Sequence, residues 1–202
     1  MSELRRRLLY AKPKGIPYDT EVEYLESSDG KQYIDTGIYP TELDLELEYE
    51  GAKYLSFGWI YNNAAYNTWI GLCNNVIYSS TWVSRFTLPS FGSNWSVCKF
   101  KMDEGFFKND TLLQSFSASL GKTPINDVPL LLFAVFDKKI NTISSNVNDN
   151  HGKIKWCKIR RNGNLLRDFI PVQKNGIGYL YDKISGRLFS NQGTGEFIIG
   201  GG

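Results

Sequence analysis

Nine consecutive residues constrain this chain more than any other feature. From Glu42 to Glu50, Leu43, Leu45, Leu47 and Tyr49 alternate with Glu42, Asp44, Glu46, Glu48 and Glu50. Successive side chains of a strand point to opposite faces, so the segment has one apolar face and one carboxylate face. A helix would scatter the acids around its cylinder. The pattern therefore predicts a strand with one face on a core, despite the modest β-propensity of Glu.

The same period begins at Glu21, where Val22 and Tyr24 alternate with Glu21 and Glu23. Further strands are predicted at Tyr54–Tyr61, Thr68–Cys73, Val76–Val83, Arg85–Leu88, Val97–Met102, Gly105–Lys108, Thr111–Phe116 and Leu130–Asp137. The series continues with Ile154–Arg160, Asn162–Pro171, Ile177–Asp182, Arg187–Ser190 and Gly195–Ile199. Asn62-Asn63, Asn74-Asn75, Asp103–Gly105, Arg161–Asn164 and Ser185-Gly186 separate several of them, and such residues suit hairpin turns because they tolerate left-handed backbone angles. Leu130–Phe136 is the longest apolar run, seven residues against the roughly 20 of a membrane helix. It reads as a central strand covered on both sides. About a dozen strands with hardly a helix point to an all-β sandwich or barrel. The 202 residues suit one domain, too long for a seven-strand immunoglobulin fold and right for a two-sheet jelly roll.

The start of the chain differs from the rest. Ser2–Lys12 can form a short amphipathic helix, with Leu4, Leu8 and Tyr10 or Ala11 at helical spacing and Arg5, Arg6 and Arg7 beside them. Pro13, Gly15 and Pro17 then make a stiff elbow. Residues 1–17 are expected to be a basic arm, and residues 18–202 the domain. Leu4, Arg5, Arg6, Arg7, Leu8 and Tyr10 are the candidate anchor residues. A cleaved secretion signal is not expected, because only three apolar residues follow the arginines and no small-residue cleavage site follows them.

The net charge of +2 hides three blocks: +4 over residues 1–14, −10 over residues 19–50 and +6 over residues 150–167. Such separation either orients a docking event or lets acidic and basic strands face solvent or one another within the domain. Cys73, Cys98 and Cys157 form no CxxC, and His151 is the sole histidine. Reduced, mostly buried thiols are expected, with neither a disulfide framework nor a zinc site.

The two ends of the domain carry a resemblance. Val22-Glu-Tyr-Leu-Glu-Ser-Ser-Asp-Gly-Lys-Gln-Tyr-Ile-Asp-Thr-Gly-Ile38, followed by Pro40, resembles the opening of concanavalin A/laminin-G-like jelly-roll domains of bacteriophage tail and virion proteins and of gut-bacterial surface proteins. The close is similar too: Gly163, Leu166-Arg-Asp-Phe-Ile-Pro-Val172, Gly178-Tyr-Leu-Tyr-Asp-Lys-Ile-Ser-Gly186, Phe189, Asn191 and Gly193-Thr-Gly-Glu-Phe197. The resemblance covers about 60 residues and implies a sandwich of two antiparallel sheets in which the first and last strands lie side by side. It implies no reaction, because the architecture hosts lectins, hydrolases and inert subunits alike. The signature residues read as architecture: Arg167-Asp168 as a salt bridge or turn clamp, Pro171 as the end of pairing on its strand, and Gly193, Gly195 and Gly200 as sites of tight turns.

Three constellations bear on function. Glu42-x-Asp44-x-Glu46 matches the nucleophile, orienting residue and proton donor of concanavalin A-like β-glucanases, where two carboxyls stand about 5–5.5 Å apart. The acid run continues through Glu48 and Glu50, which reads as a solvated face or subunit contact, so no catalytic residue is expected. Trp59, Tyr61, Tyr66, Trp69, Trp82 and Trp95, set among asparagines, are candidate glycan-stacking residues, with core packing as the competing use of such rings. Asp127, Asp137 and Asp149 are isolated calcium candidates without a committed loop, and His151 reads as an exposed turn residue, so no metal or other cofactor is expected. The basic strands of residues 153–167 accompany no nucleic-acid module, and nucleic acid is not an expected partner.

The expected function is that of a non-enzymatic structural subunit of a bacteriophage particle, located in the virion. It would join a homo-oligomer and other virion proteins through residues 1–17 and contact host-surface glycans. The alternative is a carbohydrate-binding, lectin-like module of a bacterial surface protein, and the remote alternative is a glucanase-like glycoside hydrolase.

Overall fold

A computed structural model describes residues 15–27, 31–39, 43–51, 57–63, 66–73, 76–79, 85–87, 94–101, 104–115, 129–137, 142–144 and 152–201. Among these there is no helix. The strands are β1 (Thr20–Glu21), β2 (Tyr24–Glu26), β3 (Ile34–Asp35), β4 (Leu43–Gly51), β5 (Phe57–Asn63), β6 (Tyr66–Cys73), β7 (Val76–Ser79), β8 (Arg85–Thr87), β9 (Ser96–Lys101) and β10 (Gly105–Lys108). They continue with β11 (Thr111–Ser115), β12 (Leu131–Leu132), β13 (Val135–Asp137), β14 (Thr142–Ser144), β15 (Gly152–Arg161), β16 (Asn164–Lys174), β17 (Ile177–Asp182), β18 (Arg187–Phe189) and β19 (Ile198–Gly200).

Two antiparallel sheets result. The larger runs β11-β10-β9-β4-β15-β16-β17-β18, with β1 on β16 and β2 between β15 and β19. The smaller runs β14-β13-β5-β6-β7-β8, with β12 joining β3 to β5. One pair in it, β5 with β13, is parallel. Residues of both sheets share one core, which includes Leu25, Leu47, Phe100, Phe106, Ile159 and Phe169 from the larger and Ile34, Leu132 and Phe133 from around the smaller.

β4 behaves as its sequence demands. Leu43, Leu45, Leu47 and Tyr49 are buried, while Asp44, Glu46, Glu48 and Glu50 lie half-buried on the outer face. Three two-residue turns, Asn109-Asp110, Asn162-Gly163 and Asn175-Gly176, place both residues at positive φ, the geometry that matches strand twist in a hairpin.

The first and last strands are neighbours: β19 pairs with β2 through Ile198↔Glu26, Ile199↔Leu25 and Gly200↔Tyr24. A second set of bonds fastens the loops beside them. Gln32, buried, accepts from the Ser27 hydroxyl at 3.0 Å and donates to the Thr194 carbonyl at 3.0 Å. The Asn191 side chain accepts from the Tyr33 N–H at 3.1 Å. Phe197 closes the join against Phe133, ring centroids 4.9 Å apart.

Five local expectations need correction. Tyr24 is not the inward partner of Val22; Leu25 is, fully buried, because the chain steps from β16 to β15 between β1 and β2 and shifts its phase. Leu130–Phe136 is not one strand. Its first five residues are all buried, but Phe133 has φ 66° and divides β12 from β13. Pro171 does not end pairing; β16 continues to Lys174, paired with β17 throughout. Its carbonyl accepts from the Val22 N–H at 3.1 Å, so the missing donor faces Val22, one residue past the end of the β1 ladder.

Of the three glycines, only Gly195 has a left-handed φ, 73°. Gly193 and Gly200 serve close approach instead: a Cβ at Gly193 would overlap the Lys31 carbonyl, and one at Gly200 the Tyr24 ring. Finally, the salt bridge of Arg167 runs to Asp182 and not to its neighbour Asp168. Arg167 donates to the Thr36 carbonyl at 3.1 Å, covers the Phe189 ring and reaches Asp182 at 3.7 Å. Asp182 is fully buried and accepts from the N–H groups of Asp168, Ile184 and Ser185 and from the Ser185 hydroxyl.

Candidate functional site

The outer face of the larger sheet collects the residues with chemical potential. β4 lies between β9 and β15, and the register sets Lys99 opposite Glu46 on one flank and Lys153, Trp156, Lys158 and Arg160 opposite Glu50, Glu48, Glu46 and Asp44 on the other. The acidic and basic blocks of the sequence thus face one another inside one sheet. Lys99 reaches Glu46 at 3.4 Å and Asp110 at 2.7 Å. Arg160 reaches Glu46 at 3.5 Å, Lys153 reaches Glu50 at 2.9 Å, and Lys155 reaches Glu23 at 3.1 Å and Glu48 at 3.8 Å. The Asp110 hydrogen bond raises the Lys99 pKa, and the Glu50 bond raises that of Lys153, in each case over an opposing desolvation.

Aromatic rings are woven into this lattice. Tyr24 and Trp95 stand 5.7 Å apart at 52°, Lys155 sits 4.2 Å over Trp95, and Lys153 sits 5.0 Å over Tyr24. Trp156 donates its indole N–H to Glu48 at 2.8 Å, and Lys158 lies 5.3 Å over its ring. A register shift between Ile154 and Trp156 makes this possible, because it turns consecutive Lys155 and Trp156 to the same outer face.

The predicted glycan residues fall into three groups. Trp95 is in this outer-face cluster. Trp59 and Tyr61 are on β5, Tyr66 and Trp69 on β6; by register, positions 59, 61 and 66 share one face of the hairpin and position 69 takes the other. Trp82 lies outside the described residues, as do Leu4, Arg5, Arg6, Arg7, Leu8 and Tyr10 of the arm. Glu42, Asp127, Asp149 and His151 also lie outside them, while Asp137 is on β13. Among the described residues no cluster of three or more His, Cys, Asp or Glu side chains could hold a metal, and no helix is long and apolar enough to cross a membrane.

Tyr24, Trp156, Lys99, Lys101 and Arg160 were not singled out by sequence reasoning. A signal for one of them, Trp156, exists: the inward residues Ile154, Cys157 and Ile159 are spaced by three and then two, which marks the bulge that brings Trp156 outward beside Lys155.

Cys98 and Cys157 are free, buried thiols that flank Leu47 on adjacent strands. Two strand spacings put their Cα atoms roughly 9–10 Å apart, beyond disulfide reach. Burial pushes the Cys98 thiol up to about 12 and raises Cys157 further, so neither offers a thiolate nucleophile.

Compared with known proteins, the chain matches no family model, no curated protein and no solved structure.

Proposed function

We propose that this chain is a non-enzymatic structural subunit of a bacteriophage particle, built on a concanavalin A/laminin-G-like jelly roll and joined as a homo-oligomer to other virion proteins by residues 1–17. Host-surface glycan contact is its companion role. The observation that carries the reading is the mutual clasp of the two terminal segments, β2 on β19 and Gln32 on Thr194. Those segments hold the residues that resemble the phage domains, and among the described residues they close the domain onto itself from Tyr18 onward. The non-enzymatic part draws support from Glu46. Cations stand on both of its flanks, the opposite of the apolar or carboxylate-flanked setting that a glycosidase acid requires.

A second reading, a lectin-like module of a bacterial surface protein, draws support from the Tyr24–Trp95 pair on the outer face. One experiment separates the two. Deleting residues 1–14 should leave a folded domain that no longer enters the particle, read by mass spectrometry of purified particles. Undiminished incorporation of the truncated chain would overturn the arm's role, and absence of the full-length chain from every particle fraction would favour the lectin reading.

A further inference from the structure

On the outer face, β9, β4 and β15 enclose a hollow of about 210 Å³ lined by Asp44, Leu45, Glu46, Lys99, Lys101 and Arg160. We propose that this hollow binds one carboxylate-bearing sugar unit, an inference that rests on the glycan-contact part of the function proposed above and gives it a ligand class. Its lining combines three cations with two carboxylates, and the three cations are not equally engaged. Lys99 is a fixed wall, held by Glu46 and Asp110. Lys101 pairs with Glu104, but both partners are well exposed, with 40% and 56% of the side chains accessible, and such a pair contributes little and yields to a ligand. Arg160 has among the described residues one ion pair, at 3.5 Å to Glu46, too long for the two-pronged hydrogen bonding that a guanidinium makes with a well-placed carboxylate.

The mixture of signs selects the ligand. A simple anion drawn to Arg160 and Lys101 is repelled by Asp44 and Glu46. A neutral sugar can donate its hydroxyls to those carboxylates and accept from the guanidinium, but it brings no negative charge to the three cations. A sugar acid does both: its carboxylate engages Arg160 and Lys101 while adjacent hydroxyls donate to Asp44 and Glu46. The volume suits one ring, so the site would read a terminal or branch residue. The Tyr24–Trp95 pair is a separate feature of the same face, with Lys153 and Lys155 over its rings.

The test is calorimetric titration of the full chain with glucuronate at low salt, beside glucose, which has the ring without the carboxylate, and acetate, which has the carboxylate without the hydroxyls. Saturable glucuronate binding is expected, at least tenfold tighter than either control. Arg160→Met, which keeps the apolar stem, and Lys101→Met should each weaken it at least tenfold, with Lys183→Gln, on the distant β17–β18 turn, within twofold of the parent. Equal affinity for acetate and glucuronate, no saturable binding, or a folded Arg160→Met variant of parental affinity would overturn the proposal. Binding of neutral glycans that survives Arg160→Met would overturn this site while leaving the broader glycan reading in place.

Discussion

At the scale of single residues, the inner face of the larger sheet is as informative as the outer one. Leu47 lies between Cys98 and Cys157, and Tyr49 is buried two positions further along β4. Desolvation raises the pKa of both thiols and of the Tyr49 hydroxyl, because a charge there would have lost its water. The folded Cys98 thiol holds its proton up to about pH 12, whereas the ordinary value is 9.0. The folded chain therefore binds more protons than the unfolded one above pH 9. Stability is fully present below that point and falls as pH rises from 9 toward 12. The urea midpoint should drop steadily over pH 9–11, and Cys98→Val should make that drop shallower. A midpoint indifferent to pH in this window would mean that the thiols are not shielded from water. Burial of these cysteines could be inferred from their number and spacing. Their placement on either side of Leu47 could not, because nothing local in a sequence says which distant strands become neighbours.

At the scale of elements, β4 shows what a two-residue period can and cannot reveal. The apolar face of Leu43, Leu45, Leu47 and Tyr49 was fully legible. The opposite face was readable as charged, but its partners were contributed by residues about 50 and 110 positions later, which only the sheet order supplies. Where periodicity fails, legibility fails with it: Leu130–Phe136 has no polar position to fix a phase, so the break at Phe133 left no trace in the pattern. Ion pairs on this face are partly exposed, and each should contribute only about 0–1 kcal/mol. Glu46 is the exception in arrangement, as it stands between Lys99 and Arg160 and opposite Lys158. Glu46→Gln should cost less than about 1 kcal/mol. Glu46→Lys would add a fourth cation to that row, where cross-strand like charges each cost about 0.2–1 kcal/mol, for an expected total of about 1–2 kcal/mol. Moving from 20 mM to 1 M salt shortens the screening length to about 3 Å and should recover much of that loss. Equal unfolding midpoints for Glu46→Lys and the parent at low salt would show that the lattice is ornamental.

At the scale of the whole molecule, the described residues near both ends take part in closing the core. Tyr18 is the first buried one among them: it is 6% exposed, donates to Glu21 and lies 4.9 Å from the Tyr181 ring. The last strand contributes more. β19 covers one edge of β2, whose Leu25 is fully buried, and Phe197 packs on Phe133 at the bend between β12 and β13. Removing residues 191–202 would strip the bonds made to Gln32 and Tyr33, uncover Leu25 and leave Phe133 without its ring partner. Losing a buried Phe alone costs about 3–5 kcal/mol, which is a large share of the 5–15 kcal/mol that holds a domain together. The truncated chain should accordingly bind a hydrophobic dye and lose its cooperative unfolding transition, while deletion of residues 1–14 should change the transition by less than about 1 kcal/mol. If the C-terminal truncation melted as sharply as the parent, the clasp would be dispensable.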